Sequence, residues 1–304
     1  MYDQSGKSFY DLATDIEFWR ALNPELTVSA KASRNPPAPV VVSKEIIQTT
    51  KKVLVEEGYF KIENFFPKED LTKLAKCITK LNAEHWPETF AYVYDEFWYL
   101  LQRTTGLMSA LLGVDFKQMP NMWVFYLSCN SQSAGWGPHR DRPQIRTLDD
   151  NGYAHSINIW LALTDATPEN GCMYMLPANL DANYHGDLNI QAARNYQDIR
   201  AVPAKAGDFL GWNEAVFHWG GRSSQLAQAP RISVTGVYQD TRVAAMETPL
   251  IDPLTLPSFS DRLGMVAQQF IRFGLQNSYN PLPPAAYELV LELAKLSSVT
   301  ISVK

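Results

Sequence analysis

The sequence predicts a mainly β core, an antiparallel sandwich or barrel, carried by a helical N-terminal part. Two textures and one absence predict it. Before about residue 112, apolar residues recur at helical spacing; from about 120, short β-branched and aromatic runs alternate with Gly, Pro and Asn. No helical pattern falls between those runs, as the crossovers of a parallel α/β sheet would require. With 304 residues, 46% hydrophobic and 19% charged, the chain can bury a sizeable core.

Residues 1–43 close on Asn35-Pro36-Pro37-Ala38-Pro39, which cannot be helical and reads as a linker or surface strap. Ser43 is placed to cap a helix over roughly 44–57, with Ile46, Ile47, Val53 and Leu54 apolar and Gly58 as its stop. Tyr59 to Asn64 alternates like a strand. Pro67 to about Leu81 reads as a second helix, with acidic residues in its first turn and Leu71, Leu74, Ile78 and Leu81 on one face. The aromatic-rich stretch 90–112 reads as further buried helix. Strand-like runs follow at 121–128, 155–163, 172–176, 207–212, 215–219 and 231–239. Residues 250–283 look Pro-rich and irregular, and 284–298 read as a last amphipathic helix. The expected division is an N-terminal extension at 1–43, a core with supporting helices at 44–245, and a C-terminal extension packing on it at 246–304.

A net charge of −5 without a dense Lys/Arg stripe argues against a nucleic-acid partner. Cys77, Cys129 and Cys172 are widely spaced and odd in number, which suits neither a disulfide framework nor a CxxC zinc site. The first residues lack the apolar region of a secretory leader, and no apolar run is long enough to span a bilayer. A cytoplasmic protein without a membrane partner is therefore expected; no feature sets an oligomeric state.

Chemistry concentrates in Gly137-Pro138-His139-Arg140-Asp141. In extended chain, residues two apart share a face, so His139 and Asp141 can offer an imidazole and a carboxylate to one ion. His218 follows far along, in Ala215-Val216-Phe217-His218-Trp219-Gly220-Gly221, an apolar strand ending in glycines. A histidine ending a buried strand needs a partner, and a metal supplies one. Two imidazoles and one carboxylate on one face of an octahedral ion leave room for a chelating keto acid and dioxygen, the arrangement suited to ferrous iron. The plainer reading of His-x-Asp is a ring hydrogen-bonded by a nearby carboxylate.

Pro230 to Thr235 is a strand with Arg231 and Ser233 on one face. Its other positions are apolar or hydroxylic, so a guanidinium there costs several kcal/mol unless it meets an anion. The far carboxylate of a dicarboxylate co-substrate fits Arg231 and Ser233; an internal salt bridge is the alternative.

These motifs do not stand alone. Glu57 to Phe65 followed by a Pro-x-Glu-Asp helix, the His139–Asp141 segment, Ile157 to Thr167, Asn170-Gly171-Cys172, Leu176-Pro177 and Ala206-Gly207-Asp208-Phe209 succeed one another over roughly residues 44–240. In this order they resemble the phytanoyl-CoA dioxygenase family of iron(II)/2-oxoglutarate oxygenases. The resemblance implies a double-stranded β-helix (a cupin-like jelly roll) with Fe(II) held by His139, Asp141 and His218. It further implies 2-oxoglutarate on Arg231, O2 as oxidant, ascorbate as a support in vitro, and Trp160 near the co-substrate. Where the family often has Pro-Gly-Ser-His, this chain has Pro177-Ala178-Asn179-Leu180, outside the ligands. Asp at 141, in place of Gly or Ala, disfavours the halide-binding variant of such sites.

The implied reaction hydroxylates an aliphatic C–H of a small molecule, releasing succinate and CO2; desaturation or ring closure could follow the same start. Arg142, on a segment shared with Arg140, Gln144 and Arg146, is placed to meet an anionic substrate, with Trp136 beside it; a solvated or salt-bridged loop is the alternative. His85, His155 and His185 lack motif context. Two rival readings are a non-catalytic jelly-roll binding protein and a cupin-type metalloenzyme without a keto acid.

Overall fold

The computed structural model describes residues 8–129, 133–142, 146–184, 195–273 and 284–296. Helices α1 (Phe9–Thr14), α2 (Ile16–Leu22), α3 (Lys44–Glu57), α4 (Lys68–Ala83), α5 (Asp95–Gln102) and α6 (Thr105–Leu112) form the N-terminal part, with β1 (Tyr59–Ile62) inserted after α3. Strands β2 (Phe116–Leu127), β3 (Ser156–Ala162), β4 (Met173–Leu176), β5 (Arg200–Val202), β6 (Phe209–Trp212), β7 (Phe217–Gly220) and β8 (Arg231–Asp240) follow, then α7 (Phe259–Phe273) and α8 (Pro284–Ala294).

Local chemistry sets the ends of α3. The Ser43 side chain accepts from the Ile46 amide, and Gly58 ends the helix at φ +78° with its N–H on Leu54 O. A Cβ on Gly58 would also lie 2.5 Å from Val216 Cγ2, so the stop is where the helix meets the sheet.

The strands form two antiparallel sheets, β1-β6-β3-β8-β2 and β5-β4-β7, the jelly-roll arrangement. β3 shows why the pattern held: all seven of its residues are buried. Ile157, Ile159 and Leu161 join the core under the helices, whereas Trp160 and Ala162 join the second core between the sheets. A strand covered on both faces reads as a nearly continuous apolar run. β5, exposed at its first two residues, gave no such signal.

Two regions depart from expectation. Residues 250–283 are not irregular throughout, since α7 runs for 15 residues with Phe259, Leu263, Val266 and Phe270 buried. The 1–43 segment is more than a strap: α1 and α2 bring Trp19, fully buried, onto Phe90. A buried ion pair ties these ends together. Arg262 on α7 donates to Asp95 at 2.5 Å and to Ser29 O, and Asp95 also accepts from the Ser29 amide and hydroxyl. Both side chains are fully buried, so Asp95→Ala, which strands the guanidinium, is expected to cost about 3–5 kcal/mol in denaturant unfolding. A loss below about 1 kcal/mol would show that water reaches the pair. Among the described residues, no helix is long and apolar enough to cross a membrane.

Candidate metal centre

β7 supplies His218 one residue inside its start, and the 137–141 segment runs antiparallel beside it. His139 and His218 exchange both backbone hydrogen bonds at 3.0 Å, which sets their rings 4.4 Å apart between centroids. His139 Nδ1 sits 2.7 Å from Gly137 O and His218 Nδ1 sits 3.0 Å from Val216 O. A carbonyl only accepts, so each Nδ1 carries the proton and each Nε2 keeps a free lone pair. Both Nε2 atoms face Asp141, at 3.3 Å from Oδ1 for His139 and 3.6 Å from Oδ2 for His218. One ligand atom from each of the three residues lies within 4.8 Å of the others. That spacing suits three donors converging on one ion.

Asp141 is itself aimed. Its Oδ2 accepts from Asn158 Nδ2 at 2.8 Å and from Trp212 Nε1 at 3.0 Å, and these two residues are register partners across β3 and β6. Such outer partners fix a ligand's orientation. Burial opposes ionisation of Asp141, but His218, His139 and the Trp212 N–H outweigh it and hold the carboxyl well below its usual range. Burial pushes His218 down to about 4. At His139 burial is outweighed by the hydrogen bond and charge of Asp141, so its pKa is raised above 6.5. Metal uptake is therefore expected to weaken as pH falls past neutrality, because a proton on His139 competes with the ion while His218 stays neutral until about pH 4. Ni(II) titration calorimetry between pH 5.5 and 7.5, about a unit either side of an ordinary histidine pKa, checks this. An affinity flat over that window would count against His139 as a ligand.

Arg231 opens β8 at 1% exposure. Its Nε donates to Gly171 O at 3.2 Å and its Nη1 to Ser233 Oγ at 2.7 Å. Desolvation lowers its pKa to about 10. No carboxylate among the described residues pairs with it, so the salt-bridge alternative is not what the fold provides. Gly135 and Gly220 leave the space: a Cβ on either would lie 3.2 Å from Arg231 Nη2. Trp160, whose ring lies 5.7 Å from the guanidinium carbon, has its buried indole N–H without a hydrogen-bond partner among the described residues. Arg231, Trp160 and the three donors line one cavity of about 310 Å³.

Residues 92–229 match the family model described as phytanoyl-CoA dioxygenase (PhyH). That stretch is similar to the PhyH family. The matched span contains His139, Asp141 and His218 and stops two residues short of Arg231. Among solved structures, the chain is similar to the non-heme alpha ketoglutarate dependent epimerase SnoN from nogalamycin biosynthesis (18% identity, 65% of this chain and 82% of that one, TM-score 0.51). It is similar also to the carbocyclase SnoK from the same biosynthesis (19%, 68% and 87%, TM-score 0.50). A third likeness is to apo HygX from Streptomyces hygroscopicus (16%, 67% and 88%, TM-score 0.50). At these identities the likeness is one of fold. No curated protein matches the sequence significantly.

Around this cavity the remaining candidates divide. Trp136 lines it, 6.2 Å from His139 between ring centroids. Arg142 does not: its Nε lies 2.6 Å from Glu214 and its Nη2 contacts Glu247, which also holds Arg272. The guanidinium expected to meet an anionic substrate is thus spent on two protein carboxylates, the salt-bridged alternative. Arg140 is likewise paired, 2.6 Å from Asp181. His155 Nδ1 bonds Arg146 O at 2.7 Å, and His85 follows α4 at φ +60°; neither belongs to the candidate metal group. Gln144 and His185 lie outside the described residues. Sequence reasoning missed Asn158 and Trp212. A lone amide inside the apolar run of β3 was the available signal, since a buried polar side chain needs a partner.

Proposed function

We propose that the protein is an Fe(II)- and 2-oxoglutarate-dependent oxygenase acting on a small molecule. One observation carries the reading: a buried guanidinium with no carboxylate partner among the described residues shares a cavity with a converging His, Asp and His. Two imidazoles and a carboxylate on one side are the donor set of ferrous oxygenases, and the unpartnered Trp160 N–H gives a second donor for an anion. The residues therefore fit iron and a dicarboxylate together. The bound iron, keto acid and dioxygen would supply the oxidising power, with succinate and CO2 as co-products. In this reading His139, Asp141 and His218 hold the ion, and Asn158 and Trp212 keep Asp141 turned toward it. Arg231 and Ser233 anchor the far carboxylate, and Trp160 donates to the same ligand. The apolar walls exclude water.

Hydroxylation of an aliphatic C–H is the finer reading, on a catalytic unit of residues 44–245 with extensions at 1–43 and 246–304. The fold neighbours described as an epimerase and a carbocyclase make product mass the deciding measurement. Hydroxylation adds one oxygen, epimerisation leaves the mass unchanged, and ring closure removes two hydrogens. The first test is anaerobic addition of Fe(II) and 2-oxoglutarate, which should give a weak visible charge-transfer band, followed by succinate release on admitting air with ascorbate. Absence of both the band and succinate would sink the proposal.

A further inference from the structure

The cavity has two unlike ends. Arg231 and Trp160 mark one. The other is walled by Trp123 of β2, Trp136 ahead of the metal donors and Phe273 at the last turn of α7. Their rings are nearly perpendicular in every pairing: 90° at 6.4 Å for Trp123 and Trp136, 84° at 5.6 Å for Trp136 and Phe273, and 82° at 6.2 Å for Trp123 and Phe273. Edge-to-face packing of this kind holds large side chains rigidly and presents apolar surface.

The amide, hydroxyl and guanidinium groups at this end are already engaged. Asn121 donates to Glu247 and accepts from Arg272 Nη1, each at 2.8 Å. The Thr235 hydroxyl donates to Trp123 O at 3.2 Å. Arg140 is held by Asp181, and Arg142 and Arg272 are held by Glu214 and Glu247. A charged ligand entering here would lose its hydration and meet, among the described residues, only cations already paired with carboxylates. The volume also limits size, because about 310 Å³ must hold the keto acid as well.

From this we propose that Trp123, Trp136 and Phe273 form a substrate chamber for a compact, uncharged molecule presenting an apolar ring or chain, and that Trp136 and Phe273 set that preference. The assignment of this end to substrate rests on the Fe(II)/2-oxoglutarate reading of the other. A polyanionic thioester carrier would find no unpaired cation on this wall among the described residues, so such substrates are disfavoured.

Three probes with one ring and different charge test the chamber: 2-phenylacetamide, phenylacetate and phenethylammonium. Their affinities are measured by ligand-observed NMR on protein loaded with Ni(II) and 2-oxoglutarate, so that Arg231 is occupied. The amide should bind about tenfold or more tightly than either ion. Phe273→Lys should bring phenylacetate level with the amide or past it, and Trp136→Leu should weaken the amide about tenfold. The wild-type order is decisive by itself: an ion binding as tightly as the amide, or no amide binding, overturns the proposal. An unchanged order in a folded Phe273→Lys protein overturns the role of that residue. Failure to load 2-oxoglutarate overturns the oxygenase reading instead, and the charge preference is then read on metal-free protein.

Discussion

Arg231→Met is expected to weaken 2-oxoglutarate binding about a hundredfold or more while making the ligand-free protein slightly more stable. The two effects share one cause. Burial brings the guanidinium pKa down to about 10, so the folded protein holds that proton less tightly than the unfolded chain does. By linkage, the buried charge costs stability in full below pH about 10, and the cost fades only as the group loses its proton at higher pH. At neutral pH the whole cost, about 3 kcal/mol, is carried. Methionine removes it but forfeits the hydrogen bonds to Gly171 O and Ser233 Oγ, worth about 1 kcal/mol each. A net gain of about 1 kcal/mol remains, or roughly 2–4 °C. Calorimetric melting with and without 2-oxoglutarate reads both effects at once. The wild-type midpoint should rise with the keto acid and the variant's should not. A variant that is still stabilised by 2-oxoglutarate would show that the anion binds elsewhere.

Such a trade is legible in sequence because Arg231 stands in an apolar strand, where a charge has to have a reason. Local signals of this sort carried much of the fold. Ser43 and Gly58 bound α3 because a cap hydroxyl and a left-handed residue act within one turn. The His139-x-Asp141 spacing carried the donors because neighbouring side chains need only backbone geometry to converge. What failed needed the third dimension. Asn158 and Trp212 are 54 residues apart and meet only through sheet register. Arg142 looked available because its partners, Glu214 and Glu247, lie far along the chain. α7 was hidden differently: Phe259, Leu263, Val266 and Phe270 do recur at helical spacing, but Pro249, Pro253 and Pro257 crowd the approach to them. Those prolines lie outside the helix, where they terminate nothing.

Asp141→Ala is expected to abolish succinate formation, by about a thousandfold or more, while leaving the fold intact. In the proposed site the carboxylate is the anionic member of the donor set, and its removal would leave two neutral imidazoles with ring centroids 4.4 Å apart, a weak site for iron. It also strands the Asn158 amide and the Trp212 N–H, both of which point at the missing Oδ2. Asn158→Ala separates these contributions, because it keeps all three ligands and removes one hydrogen bond to Asp141. That variant should lose about 10–100-fold in metal affinity or turnover. Metal content after dialysis and succinate release would be measured for both. Should Asp141→Ala retain iron and turn over, another residue must supply the third donor. Should Asn158→Ala match Asp141→Ala, the carboxylate depends on that amide for its orientation, and Trp212 alone cannot hold it.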